Sequence, residues 1–192
     1  EGKNIRFEEL RCEEQELTFD TLCQKLKECI QIEAFNQDTL KTLNLYNSTI
    51  GYNNAAGILA DKNHFPGIDM VKFGENISVI HKRATFDHRS ILEVYEKTAE
   101  MFKDYYEYEE IQGTDRKKIE KIPEAAFREA IANALIHRAW DVDSQIKVSM
   151  FDDRIEIVSP GGLPSGITED EYLSGKLSVL RNRNLANVFY RL

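Results

Sequence analysis

The stretch from Phe127 to His137 constrains this chain more than any other, because its residues sort onto two opposite sides of one helix. Pro123 suits the first position of that helix, where a missing N–H costs nothing, and the residues after it are mostly good helix formers. At about 100° per residue, one face carries the apolar side chains Phe127, Ile131, Ala134 and Leu135. The nearly opposite side carries Glu129, Asn133 and His137 at intervals of four. A surface helix is polar over most of its outer side, so this pattern predicts a largely buried helix with one line of groups that handle charge and metal.

A β-hairpin and a glycine loop are predicted directly after this helix. Apolar and polar residues alternate from Ile146 to Met150, Asp152 and Asp153 form a turn, and the alternation resumes from Ile155 to Ile157. The loop that follows, Ser159–Gly166, is rich in proline and glycine. The sequence therefore predicts that the loop follows directly on a strand and lies near the Phe127–His137 helix.

The rest of the chain alternates between helical and strand patterns. Thr18 is a candidate cap for a helix that carries an apolar stripe from Phe19 to Ile30. Glu109–Lys118 is polar and contains a glycine, which is typical of a linker between domains. The other predicted elements are helices over Asp38–Leu45 and Asn53–Ala60, strands over Ile68–Phe73 and Ile77–Ala84, a long helix from Asp87, and helices after Thr168 and from Arg181.

The net charge of −8 is carried by the first part of the chain. Residues 117–192 hold eleven Lys or Arg and eleven Asp or Glu, whereas residues 1–116 hold fourteen positive and twenty-two negative side chains. An acidic part and a neutral part do not provide the excess of positive charge that a nucleic-acid-binding surface needs. Arg181, Arg183 and Arg191 form a modest basic cluster, which is either a phosphate clamp or DNA rim or a solvated helix start. The three cysteines lack metal-ligand spacing and are interpreted as reduced thiols.

The motifs in the second part of the chain resemble those of one protein family. They are Arg128-Glu129-Ala130, Asn133-Ala134, His137-Arg138, Asp153–Ile157 and Ser159-Pro160-Gly161-Gly162-Leu163-Pro164. This set resembles the RecG C-terminal-like module, of gyrase/Hsp90/histidine-kinase/MutL (GHKL) ATPase type, found in bacterial transcriptional regulators with an upstream AlbA/Schlafen-type DNA-binding domain. The resemblance implies an α+β fold: an acidic α/β connecting region at 1–112, then a two-layer α/β sandwich at 113–192 that is incomplete at its C-terminus.

The resemblance also implies roles for individual residues. In the GHKL class, ATP lies over the helix, and the Asn carbonyl, here Asn133, ligates a Mg²⁺ that bridges the phosphates. The Glu one turn earlier, here Glu129, polarises a water aimed at the γ-phosphate. His137 and Arg138 lie one turn further on and are expected to face phosphate or a bordering loop. The alternative from pattern alone is that Glu129 forms an ion pair and Asn133 bonds backbone, so that both merely tie the helix to its sheet.

The glycine loop departs from the GHKL pattern at one position. The class has Asp-x-Gly-x-Gly, whose Asp accepts a hydrogen bond from the adenine amino group, and Ser159 stands at that position here. Loss of the charged acceptor predicts adenine selection weaker by on the order of 1.5–3 kcal/mol. Gly161 and Gly162 allow close approach of backbone to ligand, and a plain turn explains them equally well. The class places a second glycine-rich segment beyond Leu192, so we expect these residues to be a fragment that binds no nucleotide by itself.

The leading functional hypothesis is a nucleotide-sensing module of a transcriptional regulator, with ATP and Mg²⁺ as cofactors of the full-length protein. DNA contacts are expected through parts of that protein outside these residues. The alternative is a degenerate, non-binding scaffold that mediates homo-oligomerisation, and a third hypothesis is a slow Mg-dependent ATPase with Glu129 as base. The absence of a long apolar run or signal peptide predicts no membrane contact and a cytoplasmic location.

Overall fold

A computed structural model describes residues 5–112, 115–163, 168–173 and 179–192. A short 3-10 helix, Phe7–Glu9, precedes the first α-helix. The helices within the described ranges are α1 (Asp20–Ile30), α2 (Gln37–Thr42), α3 (Asn54–Leu59), α4 (Ile91–Tyr106), α5 (Glu124–His137), α6 (Glu169–Leu173) and α7 (Arg183–Phe189). The strands are β1 (Tyr46–Asn47), β2 (Gly51–Tyr52), β3 (Ile68–Phe73), β4 (Ile80–Phe86), β5 (Glu107–Gln112), β6 (Asp115–Glu120), β7 (Ile146–Met150) and β8 (Ile155–Val158).

A four-stranded sheet in the order β4-β3-β7-β8 forms the centre of the molecule. The central strands β3 and β7 run parallel, with Ile68 opposite Ile146 and Met70 opposite Val148, and each outer strand pairs antiparallel with its neighbour. These four side chains are at most 1% exposed, as expected for a sheet face that lies against helices. On the other face Val158 is 64% exposed.

Helices α4 and α5 pack together over the buried side of the sheet. Phe102 of α4 stacks on Phe127 of α5 with ring centroids 4.3 Å apart and planes 10° apart. Tyr106, one turn further along α4, stacks on Phe102 at 5.1 Å and donates its hydroxyl hydrogen to the Phe151 carbonyl. The predicted α+β class is confirmed, with helices on one side of a mixed sheet.

The predicted linker at Glu109–Lys118 is wrong, because β5 and β6 form an antiparallel hairpin there. The backbone register places Glu109 opposite Lys118 and Glu110 opposite Lys117. The backbone hydrogen bonds of a strand pair do not require an apolar sequence, so a polar stretch can form a hairpin. The proposed boundary at residue 113 falls within this hairpin, and the central sheet takes two strands from each side of that boundary.

The N-terminus of α1 is capped from a distance rather than by Thr18. Asp61 accepts hydrogen bonds from the backbone N–H of Asp20 at 2.7 Å and of Thr21 at 2.9 Å. Burial by itself would raise the pKa of the Asp61 carboxyl, but these bonds and those from the Thr21 and Thr18 hydroxyls outweigh it and lower the pKa below its usual value. Thr18 therefore supports the capping carboxylate instead of acting as the cap.

We expect Asp61→Ala to lower the free energy of unfolding by about 1–2 kcal/mol near neutral pH, the usual cost of a lost cap. Because folding lowers the pKa of Asp61, its contribution is present above the unfolded value of 3.8 and is lost as pH falls through the folded value. Urea denaturation of wild type and variant from pH 7 to pH 2.5 checks this. The difference should shrink toward zero at the acid end, and a difference independent of pH would contradict the assignment.

A second distant carboxylate caps α7. Glu8 is fully buried, and its oxygens accept from the N–H of Asn184 at 3.0 and 3.1 Å and from the N–H of Leu185 at 3.2 Å. Burial raises the pKa of Glu8 above its usual value, although the hydrogen bonds from Asn184 and Leu185 act in the opposite direction. The capping carboxylate is thus separated from its helix by almost the whole described chain.

None of the helices in the described part of the chain combines the length and apolarity needed to cross a bilayer.

Candidate functional site

Helix α5 buries the apolar face that its sequence predicts. Phe127, Ile131, Ala134 and Leu135 are between 0% and 8% exposed. Pro123 is the N-cap rather than the first helical residue, so the helix begins at Glu124. The helix ends at His137, because Arg138 adopts an extended backbone with φ −62° and ψ 155°.

Arg128 fastens α5 to α4. Its Nε lies 2.6 Å from Glu124 of the same helix, its Nη1 lies 3.5 Å from Glu96 of α4, and its guanidinium lies over the Tyr95 ring at 5.4 Å. Lys103 of α4 also pairs with Glu124 at 2.9 Å. These contacts set the rotation of α5, and so they determine which way its polar stripe points.

Glu129 and Asn133 lie one turn apart on the exposed side of α5. Among the residues that the structure describes, Glu129 forms no ion pair and Asn133 forms no hydrogen bond to the backbone. The structure therefore contradicts the alternative in which these two side chains merely tie the helix to its sheet. An acid and an amide in this position keep their oxygens accessible to water, metal or ligand. The carbonyl of Asn133 fits the requirement of Mg²⁺, which keeps most of its water and takes one or two protein oxygens besides phosphate.

His137 continues the stripe but is half buried. Burial lowers the pKa of His137, and the positive charge of Arg181 lowers it further. The imidazole is therefore neutral at pH 7, where it can accept or donate one hydrogen bond to a ligand.

Of the two roles expected for Arg138, facing phosphate or a bordering loop, the structure shows the loop, because the side chain is fully buried. Its guanidinium donates to the carbonyls of Pro66 at 3.1 Å, Val142 at 2.9 Å and Ser144 at 2.8 Å, and lies 4.2 Å from the centre of the Trp140 ring. Its Nε has no partner among the described residues. Burial lowers the pKa of Arg138 to about 10, which still leaves it charged at neutral pH. Arg138 joins the loop before β3 to the loop between α5 and β7, and it has no free face for a phosphate.

The glycine loop is tied to the C-terminal end of α5. The Ser159 hydroxyl donates to the Ala134 carbonyl at 3.0 Å, and the Ala139 N–H donates to the Pro160 carbonyl at 2.8 Å. The hydrogen of Ser159 is thus used within the protein, while its oxygen can still accept. Gly161 has φ of +118°, and a Cβ there would meet Ala139, so this position requires glycine.

Asn182 has a structural role in this region that the sequence pattern did not predict. It is 2% exposed, and its amide donates to the carbonyls of Ile136 at 2.6 Å and Arg138 at 2.9 Å, which lie at the end of α5. Its neighbour Arg181 donates to the Gly162 carbonyl. Because these partners are far away in the sequence, local pattern gave no signal for them, and the Arg181 cluster is not simply a solvated helix start.

A groove of about 570 Å³ lies beside the glycine loop. We call it the Trp140 groove; its lining includes Phe7, Trp140, Val142, Gly162, Val179 and Arg181. Gly161 also lines it, whereas Glu129, Asn133 and His137 do not. The structure therefore separates the predicted site residues into an exposed pair on α5 and a glycine loop that borders a groove.

Within the described ranges, no group of three or more His, Cys, Asp or Glu side chains could hold a metal ion by itself. Any metal at α5 would share its coordination with a ligand and water, as proposed for Asn133 from the resemblance.

Comparisons with known proteins agree with this architecture. Residues 143–192 match the model of a family described as "Putative ATP-dependent DNA helicase recG C-terminal". The match takes in β7, β8, the glycine loop and α7, and begins after Glu129 and Asn133. No curated protein matches the chain.

A solved structure shows the same fold. The crystal structure of the DIP2311 protein from Corynebacterium diphtheriae superposes with a TM-score of 0.73 at 23% sequence identity. The similarity covers 89% of this chain and 35% of that chain, so this chain spans about a third of its length.

Proposed function

We propose that this chain, whose residues 143–192 form a RecG C-terminal-like module of the GHKL ATPase type, is a nucleotide-sensing regulatory module. A Mg-nucleotide of ATP type lies over α5, and its occupancy changes the arrangement of attached DNA-binding parts. The observation that carries the proposal is the pair Glu129 and Asn133, exposed one turn apart on the side of α5 opposite its buried face.

The chemistry of this pair supports phosphate and metal rather than an apolar ligand. An amide oxygen at Asn133 can complete the shell of a Mg²⁺ that bridges phosphates, and a carboxylate at Glu129 can hold a water near the terminal phosphate. The neutral His137 can donate one hydrogen bond without repelling Mg²⁺. Gly161 and Gly162 present backbone at the nearby loop.

A second candidate, a non-binding scaffold, is favoured by the state of Arg138 and Ser159. Arg138 is fully buried on three carbonyls and the Ser159 hydroxyl donates to Ala134, so two of the residues proposed for nucleotide serve the fold. Under this alternative the module would act by self-association, and Glu129 and Asn133 would be ordinary surface residues.

Calorimetric titration of the full-length protein with Mg-ATP separates the two. Asn133→Ala should weaken binding at least tenfold, which is about 1.4 kcal/mol, because a metal ligand and its charge-assisted contact are lost. Asn187→Ala is the matched control, since Asn187 is exposed on α7. Absence of heat with wild type, together with a dimer that forms with rising concentration, would establish the scaffold instead.

The same variants test for turnover. Slow phosphate release that Glu129→Ala abolishes while Mg-ATP binding persists would assign Glu129 as the base. Glu100→Ala on the exposed side of α4 is the matched acidic control and should leave the rate unchanged.

A further inference from the structure

The Trp140 groove is a second place where a small molecule could bind, separate from the pair on α5. We propose that it binds a small organic anion with an apolar, preferably aromatic, body. The groove shares Gly161 and Gly162 with the proposed nucleotide site, but Glu129 and Asn133 do not line it, so this inference does not rest on nucleotide binding at α5.

Exposed apolar side chains converge on this groove. Ile5 is 64% exposed, Val142 40%, Leu163 41% and Val179 39%, and all four line it. Large apolar side chains that remain in water and share one concave surface favour a ligand that covers them. The partly buried Phe7 supplies aromatic surface on the same lining, which also includes Trp140, although Trp140 is only 3% exposed.

The charge on the groove favours an anion. Arg181 and Arg6 both line it, against the single acid Asp141. Arg181 donates to the neutral carbonyl of Gly162 and has no carboxylate partner among the described residues, so its charge is not neutralised by an ion pair. Arg6 faces Glu9 only at 3.7 Å. A carboxylate, sulfonate or phosphate would supply the anionic partner that Arg181 does not have among the described residues.

The groove also has room for such a molecule. Its volume of about 570 Å³ is in the range of small-molecule sites. A Cβ added at Gly162 would meet nothing within 4 Å, so the wall is open at that position. Gly162 therefore offers a place to fill the groove without disturbing the packing of the protein.

The test uses 8-anilinonaphthalene-1-sulfonate, an aromatic anion, and the fluorescence of Trp140, the single tryptophan of the chain. We expect saturable one-to-one binding to the folded protein, with quenching of Trp140 by energy transfer to the probe. Gly162→Phe should weaken binding at least tenfold by filling the groove. Ser48→Phe, in the exposed turn between β1 and β2, is the matched control and should bind as wild type does.

A second probe of similar shape, but without the negative charge, tests the role of Arg181. N-phenyl-1-naphthylamine, which lacks the sulfonate, should bind at least fivefold more weakly than the anionic probe, and Arg181→Gln should remove most of that difference. The proposal is overturned if Gly162→Phe binds the anionic probe like wild type, if the two probes bind equally, or if binding is equally strong to urea-unfolded chain. Circular dichroism must show that each variant is as folded as wild type at the titration temperature.

Discussion

Arg138→Ala is expected to lower the free energy of unfolding by about 3–5 kcal/mol. The guanidinium is fully buried and donates to the carbonyls of Pro66, Val142 and Ser144. Alanine would remove the donor to Pro66 and Ser144, whereas the Val142 carbonyl keeps the Ser144 N–H at 2.9 Å. The contact with Trp140 at 4.2 Å would be lost as well, and a cavity would remain. Urea denaturation followed by far-UV circular dichroism measures the change, since Trp140 emission would itself respond to the loss of its neighbour.

Two further variants give this prediction its controls. Arg154→Ala removes an arginine whose partners, Asp153 and Glu156, are exposed, and it should cost far less than Arg138→Ala. Arg138→Lys keeps the charge but cannot reach three carbonyls in a plane, so its cost should lie between the two. If Arg138→Ala were as mild as Arg154→Ala, the buried arginine would not hold the loops together.

Phe102→Ala is expected to cost about 3–5 kcal/mol, the usual loss for a buried Phe, with a further contribution from its ring contacts. Phe102 is fully buried and stacks on Phe127 at 4.3 Å and Tyr106 at 5.1 Å. Removing it leaves a cavity between α4 and α5, the helix that carries Glu129 and Asn133. Thermal unfolding by calorimetry is the measurement.

The matched control for this variant is Tyr190→Ala, because Tyr190 is 69% exposed and should change stability by less than about 0.5 kcal/mol. Phe102→Leu keeps most of the volume and should recover a large part of the loss. A Phe102→Ala protein within 1 kcal/mol of wild type would mean that α4 and α5 close over the cavity.

The sequence predicted α5 well because helical periodicity is local. The spacing of Phe127, Ile131 and Leu135 places them on one side whatever lies beyond, and all three are buried. The same spacing placed Glu129 and Asn133 outward. A local pattern of this kind also predicted the hairpin β7–β8, because the alternation of apolar and polar residues spans only a few positions in each strand.

The pattern left two roles open for Arg138, facing phosphate or a bordering loop, and it could not reveal why the loop is the partner. The sequence places it directly after the polar stripe, but α5 ends at His137 and the extended backbone at Arg138 turns its side chain inward. Where a helix ends depends on what holds its last carbonyls. Here the side chain of Asn182, 44 residues further along, does so.

Contacts between distant residues account for the other differences. Asp61 caps α1 across about 40 residues, so the sequence around Thr18 contains no sign of it. The hairpin of β5 and β6 is formed by pairing between two polar strands, and a polar composition alone predicts a linker there. The Trp140 groove draws its lining from four separate parts of the chain, and no single stretch identifies it.

The Glu8 cap makes two remote segments behave as one cooperative unit. Helix α7 has seven residues, too few to persist alone in water, and its first N–H groups depend on a carboxylate 176 residues away. When Phe7–Glu9 detaches, we therefore expect α7 to lose its cap and fray. The hydrogen bonds from Asn182, at the start of α7, to the carbonyls of Ile136 and Arg138 would then weaken. We therefore expect local unfolding at Glu8 to reach the glycine loop, and through it to change the shape of the Trp140 groove.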